Sequence, residues 1–230
     1  MQDDNNDCFN MILASTVHDM KNSLGMLGES LKVIFNKIDP EKMDQTTINS
    51  YGIVQYEASR VNNSLMQLLA LYKLENSQLP FNPSYYNLLD FLDEQKLIHS
   101  PLLNAKNIEC KLDVDENLEG FFDDCLLATV LENIIGNAIR YTQTTICISC
   151  HQTQPLKIEI ADDGPGYPEQ MIELAGSYIH GINQSTGSTG LGLFFAQKIS
   201  EMHKHKDQKG KIQLSNGGQL GGGIFQIQLP

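Results

Sequence analysis

The chain lacks any long apolar run. None of its 230 residues lies in a stretch that approaches the roughly 18–20 consecutive apolar residues of a membrane-spanning helix. Residues 1–7 are acidic and polar, the reverse of the basic start and apolar core of a signal peptide. We therefore expect a cytoplasmic protein that does not enter a membrane.

Basic residues are also scarce. The chain has 16 Lys and Arg against 28 Asp and Glu, which gives a formal net charge of −12. A surface of that sign would repel a phosphate backbone. The composition therefore argues against non-specific nucleic-acid binding, and we interpret the acidity as an aid to solubility.

Two common nucleotide-binding motifs are missing, since no GxGxxG opens a βαβ unit and no P-loop lysine follows a glycine run. Glycine is nevertheless concentrated at 162–166 (DDGPG) and 187–193 (GSTGLGL). Glycine lets backbone amides approach an anion closely, and a helix beginning at Leu191 would present its N-terminus to phosphate. The two segments together predict a nucleotide pocket of another type.

Among five cysteines, Cys147 and Cys150 precede His151 in the spacing of a c-type haem attachment site. The surrounding residues predict a β-strand, on which side chains alternate between faces. The two cysteines would then point to opposite sides and could not easily share one ligand. We interpret them as strand residues rather than as a haem or redox site.

The first part of the chain has apolar residues in alternating steps of four and three, which is typical of packed helices. The first series is Leu13, Val17, Met20, Leu24, Leu27, Leu31, Ile34 and Ile38, and the second is Tyr51, Val54, Ala58, Val61, Leu65, Leu68 and Tyr72. Asp39 and Pro40 separate them, because proline disfavours helix at the preceding residue. Residues 1–77 thus predict a helical hairpin, and two hairpins would bury their seams in a homodimeric four-helix bundle.

This register also places His18. A lone histidine is most often a core residue, but His18 follows the seam position Val17 and so lies with Asp19 on the flank that faces water. Asn22 lies one helical turn later on the same face.

The heptads end near residue 78, and 78–230 predict a second domain. Helices are expected at 88–103, 123–141 and 191–203, and strands at 108–114, 144–152, 157–160, 211–214 and 224–229. Helices on one face of such a mixed sheet give an α+β two-layer sandwich.

Four ordered segments now stand out: 18–22, 133–141, 162–166 and 187–193. Their order and spacing resemble the phosphoacceptor, asparagine and two glycine boxes of a two-component sensor histidine kinase. The resemblance covers nearly the whole chain. It implies a dimerisation and histidine-phosphotransfer hairpin followed by a Bergerat-type ATP-binding domain.

The resemblance also implies site residues. His18 would accept the phosphoryl group of ATP, Asp19 would orient its ring, and Asn22 would support phosphatase activity toward a response regulator. The nucleotide would be bound by Asn133, Asn137, Arg140, Tyr141, Asp162, Gly164, Gly166, Gly187, Gly190, Leu191 and Gly192. Asn137 would also be the Mg²⁺ ligand, and Asp162 would accept a hydrogen bond from the adenine amino group.

Asn133 separates two functional classes. Related Bergerat ATPases have a glutamate four residues before the magnesium asparagine, where it activates water as a general base. With Asn133 there, the pocket is suited to hold ATP for another nucleophile. A dimeric histidine phosphotransferase relay without ATP binding and a Bergerat-type ATPase remain the alternatives.

Two features depart from the family pattern. Ser23 replaces a common proline, and the lid segment 171–189 lacks a phenylalanine that often anchors it. In addition, only 17 residues precede His18, too few for a sensory core. We expect input from a separate soluble sensor, for example a haem-based nitric-oxide-binding protein; the alternatives are a shortened kinase and a constitutively active one.

Overall fold

The computed structural model describes residues 2–37, 44–173 and 190–230. The chain divides into two compact units, Met1–Leu79 and Pro80–Pro230. In the part of the chain that is described, no helix has the length and apolar character needed to cross a membrane. The predicted assignment of phosphotransfer to residues 1–77 and of ATP binding to 78–230 stays a prediction.

The first unit consists of two helices, α1 (Gln2–Asn36) and α2 (Gln45–Glu75). They run antiparallel, since Phe35 near the end of α1 stacks on Tyr51 near the start of α2, with ring centroids 3.8 Å apart. α2 begins after Asp44, whose side chain accepts the Thr47 N–H at 2.8 Å as an N-cap. The predicted turn and the seam residue Ile38 lie outside the described residues.

Within one chain the seam of α1 is only half covered. Val17 is buried, and Leu24 and Leu31 are partly buried. The alternate seam positions Met20, Leu27 and Ile34 remain 46%, 50% and 59% exposed. The hairpin therefore has the predicted helices, while its assembly into a four-helix bundle stays a prediction.

The second unit contains four helices and nine strands among its described residues. The helices are α3 (Leu88–Lys106), α4 (Asp124–Tyr141), α5 (Glu169–Glu173) and α6 (Leu191–Met202). The strands are β1 (Ser84–Asn87), β2 (Glu109–Val114), β3 (Glu119–Phe122), β4 (Thr145–Thr153), β5 (Leu156–Asp162), β6 (Lys204–His205), β7 (Gln208–Lys209), β8 (Lys211–Asn216) and β9 (Gly223–Leu229).

Five of these strands form a mixed sheet in the order β2-β4-β5-β9-β8. β2 pairs parallel with β4, and the other neighbours are antiparallel. Burial alternates along β5 and β9, and the helices α3, α4 and α6 all contact the sheet. The alternation shows that one face is covered, which confirms the predicted α+β sandwich.

The short elements escaped sequence prediction. Strands β1 and β3 form one ribbon, and β6 and β7 form another. Each of these four strands, and helix α5, has only two to five residues. Such lengths are too short to show a period in hydrophobicity.

The end of α4 lies against the segment that follows β5, and the start of α6 packs on α4. α4 begins at Asp123, whose Oδ1 accepts the Leu126 N–H at 3.0 Å, and it ends at Tyr141 just before β4. α6 begins at Gly190, a left-handed residue with φ +66° and no side chain to cap the helix. The end of α4, the end of β5 and the start of α6 carry the segments that the sequence analysis singled out.

Candidate nucleotide and phosphoacceptor sites

Asp162 is the last residue of β5 and is only 7% exposed. Its Oδ1 accepts the N–H groups of Gly164 at 2.8 Å and Gly223 at 3.2 Å. Its carbonyl oxygen accepts the Gly222 N–H at 3.1 Å. No described residue donates to Oδ2, so one carboxylate oxygen is fixed by the protein and the other is available to a donor on a ligand.

The backbone after Asp162 lies against the end of α4. A Cβ at Gly164 would stand 2.6 Å from the Tyr141 carbonyl oxygen, a contact that requires a shift of backbone. Further on, the Asn216 side chain accepts the Tyr167 N–H at 2.6 Å and donates to the Tyr167 carbonyl at 2.8 Å. Glycine at 164 was predicted to let a nucleotide base approach; the structure gives a further reason, which is close packing within the protein.

Asn133 and Gly192 bring α4 and α6 together. A Cβ at Gly192 would collide with the Asn133 carboxamide, so the N-terminal turn of α6 packs directly on that side chain. The Asn133 Nδ2 is buried and has no hydrogen-bond partner among the described residues. A buried unpaired amide costs about 1–3 kcal/mol, and a ligand acceptor at this point would remove that cost.

The N-terminus of α6 offers further donors. The Phe194 N–H bonds to the Gly190 carbonyl at 3.1 Å, so the amides of residues 191–193 precede the first intrahelical bond. The amides at a helix N-terminus and the helix dipole together favour an anion. Gly187, also predicted for this region, lies outside the described residues.

Three predicted residues lie near the end of α4 with exposed side chains. Asn137 follows Asn133 by one turn and therefore shares its face. The Arg140 guanidinium carbon lies 5.6 Å from the centroid of the Tyr141 ring. A carboxamide oxygen, a guanidinium and an aromatic ring suit Mg²⁺, phosphate and a nucleotide respectively.

One cluster of potential metal ligands occurs among the described residues, formed by Asp123, Asp124 and Cys125 at the opposite end of α4. Asp123 already accepts N–H groups of Asn82 at 2.7 Å and Leu126 at 3.0 Å. This cluster caps the helix and is remote along α4 from Asn137.

In the first unit, His18 and its neighbours are open to solvent. The side chains of His18 and Asp19 are 68% and 77% exposed, and the His18 Nδ1 lies 3.6 Å from the Asp19 Oδ1. The Asn22 Nδ2 lies 3.3 Å from the same Nδ1. The three predicted residues are thus adjacent, and no described residue forms a hydrogen bond or ion pair with the His18 Nε2.

Several residues that hold the candidate pocket together were not predicted from the sequence. Asp163 ties the loop after α4 to β5, and Gly222 and Gly223 bond to Asp162. The glycine-rich segment 217–223 was an available signal for the last two. Asp163 stands inside the DDGPG segment, but its partners lie 19 to 21 residues away.

Among the described residues, these observations fit a nucleotide: a buried carboxylate oxygen and a buried amide without a protein partner, a helix N-terminus and tight glycine contacts. Residues 123–230 match the family described as histidine kinase-, DNA gyrase B- and HSP90-like ATPase. This match lies entirely within the second unit, which is therefore similar to domains of this ATPase class.

Among the proteins similar in sequence to this chain are histidine kinases. The chain is 27% identical over 202 residues to the adaptive-response sensory kinase SasA of Crocosphaera subtropica, covering 84% of this chain and 53% of that protein. It is 28% identical over 203 residues to the sensor histidine kinase YvrG of Bacillus subtilis, covering 83% and 34%. The chain therefore spans about half of the length of the first of these relatives and about a third of the length of the second.

Solved structures of histidine kinases are also similar to this chain. The nucleotide-free catalytic domain of the histidine kinase ThkA has 25% identity and a TM-score of 0.55, over 65% of this chain and 97% of that one. The Acinetobacter baumannii histidine kinase AdeS, at 24% identity and a TM-score of 0.58, covers 92% and 96% and shows the same fold. The chain is related to two-component histidine kinases, which confirms the predicted resemblance.

Proposed function

We propose that this chain is an ATP-dependent protein-histidine kinase that phosphorylates its own His18. The phosphoryl group would then pass to an aspartate in the receiver domain of a response regulator. The observation that carries the proposal is the exposed His18, with Asp19 beside its Nδ1, in a chain whose second unit is similar to domains of the ATPase class.

In the pocket, the Asp162 Oδ2 would accept the adenine amino group, because Oδ1 is already engaged by the protein. The Asn133 amide, the first N–H groups of α6 and Arg140 are the donors for phosphate oxygens. Asn137 would hold Mg²⁺, which when bound neutralises phosphate charge and favours oxygen ligands.

For transfer, the Nε2 lone pair of neutral His18 attacks the γ-phosphorus. A nitrogen–phosphorus bond forms, the bond from phosphorus to the bridging oxygen breaks, and ADP leaves. Asp19 accepts the hydrogen bond of the Nδ1 proton and stabilises the positive charge that develops on the ring. Asn133 offers no carboxylate to activate water, which favours transfer to histidine over hydrolysis.

The kinase would act as a homodimer built on the half-exposed seam of the hairpin. Input from a separate soluble sensor, whether or not it contains haem, stays a prediction. Phosphatase activity toward the phosphorylated receiver is a further part of the proposal and depends on Asn22.

The proposal is tested by incubating the protein with ATP labelled in the γ-position and mapping acid-labile phosphate. We expect His18→Gln to eliminate labelling while nucleotide affinity is unchanged. Asp162→Asn should lower nucleotide affinity and labelling together. His205→Gln, which alters another exposed histidine, is the matched control and should label normally.

Label on the His18→Gln protein would show that the phosphoryl group is accepted elsewhere. A parent protein that binds no ATP but accepts phosphate from a phosphorylated receiver would instead favour a phosphotransferase relay. Release of inorganic phosphate without any protein label would favour a simple ATPase.

A further inference from the structure

Asp163 is the acceptor in a dense set of hydrogen bonds at the end of β5. Its Oδ1 accepts the Gln143 N–H at 2.8 Å and the Thr142 hydroxyl. Its Oδ2 accepts the Thr144 hydroxyl at 2.5 Å, and the Thr144 N–H lies 3.0 Å from both oxygens. One carboxylate thus binds three consecutive residues of the loop between α4 and β4.

The same loop is fixed at its other end to α4. The Thr142 N–H bonds to the Ala138 carbonyl at 2.8 Å, and the Thr144 carbonyl accepts the Glu109 N–H at 2.8 Å. The Thr142 hydroxyl also lies 3.0 Å from the Thr145 carbonyl. Asp163 therefore joins the end of α4 to the end of β5, two elements that are separate in sequence.

This junction lies directly against the carboxylate proposed to bind adenine. The Tyr141 carbonyl, one residue before the loop, packs where a side chain at Gly164 would stand. The Gly164 N–H in turn holds the Asp162 Oδ1 at 2.8 Å. A shift of the loop would move Gly164 and so turn the Asp162 carboxylate.

The charge state of Asp163 suits this role. Burial raises the pKa of its carboxyl, but the hydrogen bonds from Thr142 and Thr144 lower it by more, so the net pKa lies well below the usual value. The group stays ionised at neutral pH, and hydrogen bonds to an ionised acceptor are stronger than neutral ones.

We propose that Asp163 is a positioning residue for base recognition, which ties the loop after α4 to β5 so that the Asp162 Oδ2 faces the 6-amino group of adenine. This inference rests on the proposed function of the pocket. Asp163 itself would not touch the base; it acts through Gly164 and Asp162.

The test compares ATP with purine riboside triphosphate, which lacks only the 6-amino group, by displacement of a fluorescent ADP from the full chain. In the parent, ATP should bind at least tenfold more tightly than the analogue. Asp163→Ala should weaken ATP about tenfold and the analogue less than threefold, so that discrimination is lost. Asp163→Asn keeps one acceptor oxygen and should therefore retain most of the discrimination between ATP and the analogue.

Asp113→Ala is the matched control, because Asp113 is an exposed carboxylate that pairs with His151 on β4; it should change neither affinity. An equal loss of both affinities in Asp163→Ala would reduce Asp163 to a general structural role and overturn the inference. Unchanged discrimination in that variant would overturn it as well. Failure of the parent to bind ATP would refute the proposed function instead.

Discussion

Two side chains approach the His18 Nδ1 with opposite requirements. The Asp19 carboxylate, 3.6 Å away, can only accept, so it favours a proton on Nδ1 and a free lone pair on Nε2. The Asn22 Nδ2, 3.3 Å away, can only donate, so it favours the other tautomer. A carboxamide can turn to present its oxygen in place of its nitrogen. Asn22 would then accept a hydrogen bond from Nδ1, as Asp19 does, and would no longer oppose a free lone pair on Nε2.

We expect Asn22→Ala to leave autophosphorylation largely intact, because Asp19 alone can orient the ring. The same change should slow dephosphorylation of a phosphorylated receiver at least tenfold, since the amide that would orient water is lost. Ser23→Ala is the control, because the Ser23 hydroxyl bonds to the Asp19 carbonyl rather than to His18. Equal decay of the phosphorylated receiver with parent and Asn22→Ala would make Asn22 an ordinary surface residue.

Single residues differ in how far the sequence reveals them. Asp162 and Gly164 stand in one short motif, so the local pattern was enough to predict a pocket there. Asp163 stands in the same motif, yet its donors come from a loop about twenty positions earlier. Only the pairing of β4 with β5, which sets Ile146 opposite Asp162, brings those groups together.

At the scale of elements, a buried histidine joins the end of α6 to the start of α4. The His203 Nδ1 lies 2.9 Å from the Ile199 carbonyl, and its Nε2 accepts the Asp123 N–H at 3.1 Å. The Asp123 Oδ2 also accepts the Asn82 N–H at 2.7 Å. Two helices that carry the predicted pocket are therefore linked through one neutral imidazole.

Acid should weaken this junction. Burial lowers the pKa of His203 below its usual 6.5, although the Ile199 carbonyl and the charge of Asp123 oppose the shift. Below pH 6.5 the unfolded chain therefore binds more protons at this site than the folded one. The contribution of His203 to stability is complete above that pH and is lost as the pH falls toward the folded pKa.

We expect the free energy of unfolding in urea to fall between pH 7.5 and 5.5 more steeply in the parent than in His203→Gln. The variant should also be about 1–2 kcal/mol less stable at pH 7.5, because one amide cannot replace both hydrogen bonds. His151→Gln, at an exposed position, should keep the slope of the parent. Identical slopes in parent and His203→Gln would contradict a neutral buried His203.

Elements were predictable in proportion to their length. The helices of the hairpin, α3, α4 and α6 showed a period of about 3.6 residues, and the five sheet strands showed alternation. The sequence did not predict the ribbon of β1 and β3, where the Tyr85 and Phe121 ring centroids lie 5.0 Å apart. Each strand has only four residues, and their pairing joins distant parts of the chain. Pairing of this type depends on tertiary packing rather than on local preference.

At the scale of the whole molecule, the seam of the hairpin leaves apolar side chains exposed to solvent in a single chain. Met20, Leu27 and Ile34 recur every seven residues on α1, and the exposed Val54 and Val61 on α2 have the same spacing. Exposed apolar stripes of this kind are typical of helices that pack against a partner. A second copy would supply the missing two helices of a bundle.

We expect the protein to be a dimer in solution and the double variant Leu27→Glu/Ile34→Glu to be a monomer, because each dimer would bury four unpaired carboxylates in an apolar seam. Sedimentation velocity over a range of concentrations measures the change. The control is Met26→Glu/Val33→Glu, which alters two exposed apolar residues one position earlier, about 100° around the helix. That control should stay dimeric. The variant Leu27→Glu/Ile34→Glu should still bind ATP, because the proposed pocket lies in the other unit. A parent that sediments as a monomer at all concentrations would contradict the dimer. Equal dissociation of both double variants would show that the dimer interface is not formed specifically by the seam residues.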